Sequence, residues 1–171
     1  VVDGVFSMEG DLADLKGITQ LAKQYNAVVM SDCAHAIGVI GEHGAGAASH
    51  FDVEEQVDLI GGTFSKSLAS IGGFIASDAH TVEYIKHNSR SLVFSASPTP
   101  AAVAAALASL DIIESDDSLR LQLLENTEYA ITAFNSLGFD TGKTETPIIP
   151  LFIKDDKKTH EMAMILLEKG I

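Results

Sequence analysis

A single cysteine, Cys33, in 171 residues excludes an internal disulfide and any zinc site built on paired thiolates. Arginine is almost as scarce. Only Arg90 and Arg120 occur, and 11 lysines and arginines face 24 acidic residues, for a net charge of −13. That balance argues against a nucleic acid or an anionic membrane surface as the main partner. No transmembrane segment is expected, because the longest mainly apolar run, Ala101 to Leu110 with Ser109 inside it, falls far short of the roughly 20 residues that span a bilayer. Internal repeats and low-complexity tracts are missing as well. What is present is a globular composition, 46% hydrophobic and 20% charged. The chain is long enough to bury roughly 70% of its unfolded surface. It opens on Val1-Val2-Asp3-Gly4-Val5-Phe6, as if a strand were under way, without an initiator methionine, and stops at Glu168-Lys169-Gly170-Ile171. The expectation is a piece of a longer protein that carries part of an active site.

Residues 1–6 are mostly β-formers and predict a strand. Asp11 is the expected N-cap of a helix whose apolar stripe is Leu12, Leu15, Ile18, Leu21, Ala22 and Tyr25, with Asn26 in the left-handed position after it. Ala27-Val28-Val29-Met30 reads as a strand covered on both faces. Strand, helix and strand with tight joints make a parallel, right-handed β-α-β unit. Further strands are predicted at Val57–Gly62 and Gly72–Ala76, with Thr63–Ser67 as a polar turn between them. A helix is predicted at 78–89. Another starts at Ser97, with Pro98 or Pro100 in its first turn, and runs to Ile113. A connecting helix spans 117–137 and ends at Gly138. Ile148–Ile153 is predicted as an edge strand because of Pro150, and Asp155 or Asp156 caps a last helix through Lys169. The fold class is α/β with a mainly parallel sheet. Residues 1–137 are expected to belong to a large domain, connecting helix included, and 138–171 to begin a smaller α/β domain.

Two motifs fail on inspection. Gly138 to Thr144 imitates a phosphate-binding loop, but it lacks a residue between its glycines and a preceding strand. His35, His43 and His50 lack the i, i+4 spacing of a helical metal site, so no metal is expected.

One constellation holds together. Asp32 and His35 follow the strand 27–30, and Lys66 follows the strand 57–62. Ligands of open parallel sheets bind outside the carboxyl ends of the strands, where all three residues fall. Pyridoxal phosphate requires these groups together: a lysine amine for its aldehyde, a carboxylate for its pyridinium nitrogen and a donor for its ring hydroxyl. Its phosphate needs hydroxyls and backbone N–H groups, and Thr63 and Ser65 lie within a turn of Lys66. Cys33 is read as a packing residue.

Ser7-Met8-Glu9-Gly10-Asp11, Asp32-Cys33-Ala34-His35-Ala36-Ile37-Gly38-Val39 and Gly62-Thr63-Phe64-Ser65-Lys66-Ser67 occur in this order. Together they resemble the α-oxoamine synthases, fold-type I enzymes that use pyridoxal phosphate to condense an amino acid with an acyl thioester and release carbon dioxide. Asn126-Thr127 and Thr146-Pro147-Ile148-Ile149-Pro150 extend the likeness over essentially the whole chain. The lysine segment Thr63 to Gly73 and Phe94-Ser95-Ala96-Ser97 are similar to the bacterial serine palmitoyltransferase branch. Cys33 and Ala45 depart from the family pattern, where an acidic residue and a Gly-Arg-Gly run are common.

The resemblance implies the fold of the class I/II aminotransferases and a homodimer with shared active sites. Lys66, His35 and Asp32 would be catalytic. Lys66 would hold the cofactor and then move the Cα proton of the amino acid. Asp32 would pair with the ring nitrogen, and His35 and Ser7 would sit on the ring-hydroxyl side. Thr63 and Ser65 would hold the phosphate, and Ser95 or Ser97 would reach the phosphate of the partner subunit. The implied reaction joins L-serine and a long-chain acyl-CoA to give 3-ketosphinganine. Alternatives are a glycine C-acetyltransferase, an 8-amino-7-oxononanoate synthase or a non-catalytic dimer partner. A cytoplasmic location, peripheral to the inner membrane, goes with the first. The ring-stacking histidine and Gly-rich phosphate segment of the family would precede Val1, and its carboxylate-binding arginine would follow Ile171. The piece alone is therefore expected to be inactive.

Overall fold

A computed structural model describes residues 1–171. Its centre is a four-stranded sheet in the order β1-β2-β3-β4, formed by Val2–Asp3, Met30–Asp32, Leu59–Thr63 and Gly73–Ala76. The first three strands are parallel, and β4 is antiparallel to β3. Helix α1 (Leu15–Gln24) crosses from β1 to β2, so the expected parallel β-α-β unit is present. It covers the core of Val5, Leu15, Val29, Cys33, Ala36 and Ala47, each nearly or fully buried.

Several boundaries differ from expectation, each for a local reason. Asp14 rather than Asp11 caps α1, its Oδ1 accepting from Gly17 N–H at 2.9 Å. Leu12 is held extended by an antiparallel bridge to Val5 and cannot join the helix. Leu21 and Tyr25, placed on the apolar stripe, are exposed. Strand β2 starts at Met30, not Ala27. Asp58 Oδ2 takes the Val29 N–H at 2.7 Å, and Val28 is 70% exposed, which removes it from a doubly covered strand. Strand β3 starts two residues later than Val57 and extends through Thr63. The Gly- and His-containing loop after β2 includes a short helix, α2 (Ala47–His50).

Helix α3 (Ala79–Asn88) is capped by Asp78, and α4 (Arg90–Val93) follows directly. Helix α5 (Pro100–Ser115) is capped by Thr99, not Ser97, because a residue before proline is held out of the helical region. Helix α6 (Ser118–Ser136) ends before Gly138, whose φ of +83° leaves the helix. The expected strand at 148–153 is absent. The segment has no neighbouring ladder and is held instead at points such as Phe152 N–H to Asp140 O, 2.9 Å. Asp155 caps α7 (Asp156–Glu168). No helix is long and apolar enough to cross a membrane.

Candidate active site

Strands β2 and β3 run in register with Asp32 opposite Gly61. Asp32 is the last residue of β2, and the chain then turns sharply. Asp32 Oδ1 accepts from Ala34 N–H at 2.8 Å, while the Ala36 and Ile37 N–H groups return to Cys33 O at 2.9 and 3.0 Å. Cys33 and Ala36 thereby point into the core, at 1% and 0% exposure, and the Cys33 thiol is a packing group. The half-buried His35 lies between them, over the carboxyl ends of the strands.

At the end of β3, Phe64–Gly72 leaves the sheet and returns as β4. Its base is closed by Phe64 N–H to Gly72 O at 2.9 Å and Ser70 N–H to Phe64 O at 2.7 Å. Ser70 Oγ donates to Ala102 O of α5 at 2.6 Å, Leu68 is buried, and Phe64 stacks on Phe74 at 5.9 Å between centroids. Lys66 sits on this anchored loop with an exposed side chain. Behind the loop, an apolar cavity of about 290 Å³ lies between Phe64, Leu68 and the Val103–Leu110 face of α5. It presents no polar group and so no chemistry.

Lys66 and His35 line one cleft of about 200 Å³, bounded also by Val39, Ser67 and the segment Thr146–Ile148. Burial, followed by the Lys66 ammonium, holds the His35 imidazole below the usual histidine value, against the opposing carboxylates of Asp3 and Asp32. Lys66 and Asp32 are thus both within electrostatic reach of His35. Thr63 and Ser65 lie side by side, Oγ1 to Oγ 2.8 Å. Ser7 is exposed on the turn between Val5 and Leu12. Ser95 and Ser97 lie exposed between α4 and α5, and no hydrogen bond within the chain links them to the cleft. The other histidines diverge: His43 Nδ1 meets Asp117 Oδ2 at 3.1 Å, and His50 packs edge-on against Phe51.

Four residues of this neighbourhood escape a reading of the sequence. Asp3 stands opposite Asp32 in the β1–β2 register, a neighbour that a parallel β-α-β unit makes readable. Thr146 lines the far wall of the cleft, and Gly10 and Thr144 are hydrogen-bonded to it from behind. The alternation of threonines before Pro147 is a signal, but nothing in the spacing connects it to Gly10.

The whole chain, residues 1–171, matches the family described as aminotransferase class I and II. It is 52% identical over 171 residues to the serine palmitoyltransferase of Sphingobacterium spiritivorum, covering 43% of that protein. It is 47% identical over 171 residues to the 8-amino-7-oxononanoate synthase of Petrotoga mobilis, covering 44% of it. The chain thus spans less than half the length of these relatives. Among solved structures, 99% of the chain superposes on 44% of the serine palmitoyltransferase of S. paucimobilis with bound pyridoxal phosphate and myriocin, at a TM-score of 0.93 and 32% identity. Sheet order, motif order and whole-chain match agree: the chain belongs to the aminotransferase class I and II family.

Proposed function

We propose that the protein carrying this chain is a homodimeric, pyridoxal phosphate-dependent acyltransferase of the α-oxoamine synthase group. In this reading it condenses L-serine with a long-chain acyl-CoA to 3-ketosphinganine, with loss of carbon dioxide. Residues 1–137 are the end of its cofactor-binding domain, and 138–171 begin the small domain. The observation that carries the reading is the meeting of Lys66 and His35 in one cleft beside Asp32, at the carboxyl edge of a parallel sheet.

The donor set fits the cofactor. Lys66 supplies a primary amine. Asp32 uses Oδ1 for Ala34 N–H and keeps Oδ2 for a pyridinium N–H. The depressed basicity of His35 favours a neutral ring that donates one hydrogen bond. Thr63 and Ser65 offer adjacent hydroxyls for a phosphate.

When bound, pyridoxal phosphate supplies the electron sink for charge developing at the amino acid Cα. Lys66 Nζ would hold the cofactor through its aldehyde and, as a free amine, would move the Cα proton of the amino acid. Asp32 would keep the ring nitrogen protonated, and His35 and Ser7 would contact the ring-hydroxyl side. Thr63 and Ser65 bind the phosphate, joined by Ser95 or Ser97 from the second subunit. The segment Thr146–Ile148 would close the far side of the cleft.

The 47% identity to an 8-amino-7-oxononanoate synthase supports a second reading with another amino acid and acyl thioester. Titration of the full-length, cofactor-loaded protein with L-serine, glycine and L-alanine separates the two. Serine alone is expected to change the cofactor absorbance at low concentration. A response to glycine or alanine without one to serine refutes the serine assignment.

A further inference from the structure

The far wall of the cleft comes from the other end of the chain. Thr146 is 1% exposed, and its Oγ1 donates to Gly10 O at 2.9 Å. Thr144 Oγ1 lies 3.2 Å from Gly10 O, 3.3 Å from Thr146 O and 2.6 Å from Ile148 O. A hydroxyl has one proton, and the shortest of these contacts, to Ile148 O, takes it. The Thr146 hydroxyl is then the donor that satisfies the Gly10 carbonyl. In return, the Thr146 and Ile148 N–H groups donate to Thr144 Oγ1 and Thr146 Oγ1, both at 3.3 Å. Thr144 shapes the turn; Thr146 fastens it. Ile148 also packs against the hydrophobic core, so apolar contact holds the segment close while the hydroxyls set its register.

We propose that Thr146, with Thr144 behind it, is a positioning residue that locks Pro147 and Ile148 onto the Gly10 carbonyl as the water-excluding wall of the Lys66–His35 cleft. The substrate in contact with that wall would be the amino acid, a step that rests on the function proposed above. His35 and the segment Thr146–Ile148 line the same cleft, so in this proposal the wall contributes to the burial that lowers His35 basicity. The charged groups facing His35 are Lys66, Asp3 and Asp32, and a change at residue 146 leaves all three in place.

Thr146→Val keeps the shape and removes the proton donor, whereas Thr146→Ser keeps the donor. Two readouts on the full-length protein test the wall. The first is the His35 titration, followed by NMR without cofactor. Thr146→Val is expected to move it up toward the ordinary histidine value, and Thr146→Ser to leave it at the wild-type position. The second is steady-state kinetics. Thr146→Val is expected to raise KM for the amino acid about five- to tenfold, the equivalent of one net hydrogen bond, with kcat within about twofold. Asp58→Ala, a destabilising change far from the cleft, is expected to move neither. Wild-type titration and KM in Thr146→Val, or an equal shift in Asp58→Ala, overturn the proposal. If full-length wild type takes up no pyridoxal phosphate at Lys66, the function reading fails, and the cofactor-free titration decides the wall by itself.

Discussion

Replacing Gly10 by alanine perturbs the docking of the two chain ends with one methyl group. Gly10 is buried at φ +73°. A Cβ there would fall on Ile148 O and Thr144 Oγ1, well inside contact distance, and touch Thr144 Cβ at 3.0 Å. The left-handed backbone costs a non-glycine residue about 1–2 kcal/mol. Forcing a methyl into a packed site adds about 1–3 kcal/mol, because the obstacle is backbone and a pinned hydroxyl rather than a free side-chain end. The expected loss is therefore about 2–5 kcal/mol. Gly138 provides the control. Its φ is +83°, yet nothing lies within 4 Å of the place a methyl would take, so Gly138→Ala is expected to lose only the backbone part, about 1–2 kcal/mol. Both changes restrict the unfolded chain equally, so that effect cancels. Equilibrium urea unfolding of the full-length variants, followed by circular dichroism, gives the difference. Equal losses for the two alanines would refute the claim that the missing side chain of Gly10 leaves room for the docked segment.

Three further outcomes are expected. Lys66→Ala in the full-length protein should abolish turnover and the visible absorption band that borohydride bleaches; retained turnover would remove Lys66 from its proposed role. His35 binds its proton less readily folded than unfolded, where imidazole titrates near about 6.5. The stability it contributes is therefore present above that value and lost as pH falls through the folded value. Unfolding midpoints of wild type should fall more than those of His35→Gln between about pH 8 and about pH 5, and parallel curves would contradict the shift. Asp58→Ala strips the N–H of the buried Val29 of its 2.7 Å acceptor just before β2. A loss of about 1–3 kcal/mol is expected in urea unfolding, and an unchanged midpoint would show that water replaces the carboxylate.

The parallel unit and the placement of Asp32, His35 and Lys66 were legible because they rest on local signals: an apolar run, a helix and another apolar run, with polar residues after each strand. Boundaries were less so. Thr99 caps α5 because Pro100 follows it, a rule readable in the sequence, but Ser97 competed with it. The shift from Asp11 to Asp14 depends on Leu12 pairing with Val5, and that of β2 on a carboxylate 29 residues away. Neither leaves a trace in periodicity. Ile148–Ile153 has strand composition, but a strand exists only where a ladder meets it. The Thr146–Gly10 lock was invisible for the same reason: it joins residues 136 positions apart.

That separation also orders the events of folding. The ladders of the sheet join residues roughly thirty positions apart or fewer, whereas the lock closes a loop containing most of the chain, at a greater entropic cost. A refolding molecule is therefore expected to assemble its strands first and to close the Thr146–Gly10 lock last. Pulse-labelling of backbone amides during refolding should show the Thr146 and Ile148 N–H groups, which the lock engages, gaining protection after the amides of the strands. Simultaneous protection would show that lock and scaffold form in a single step.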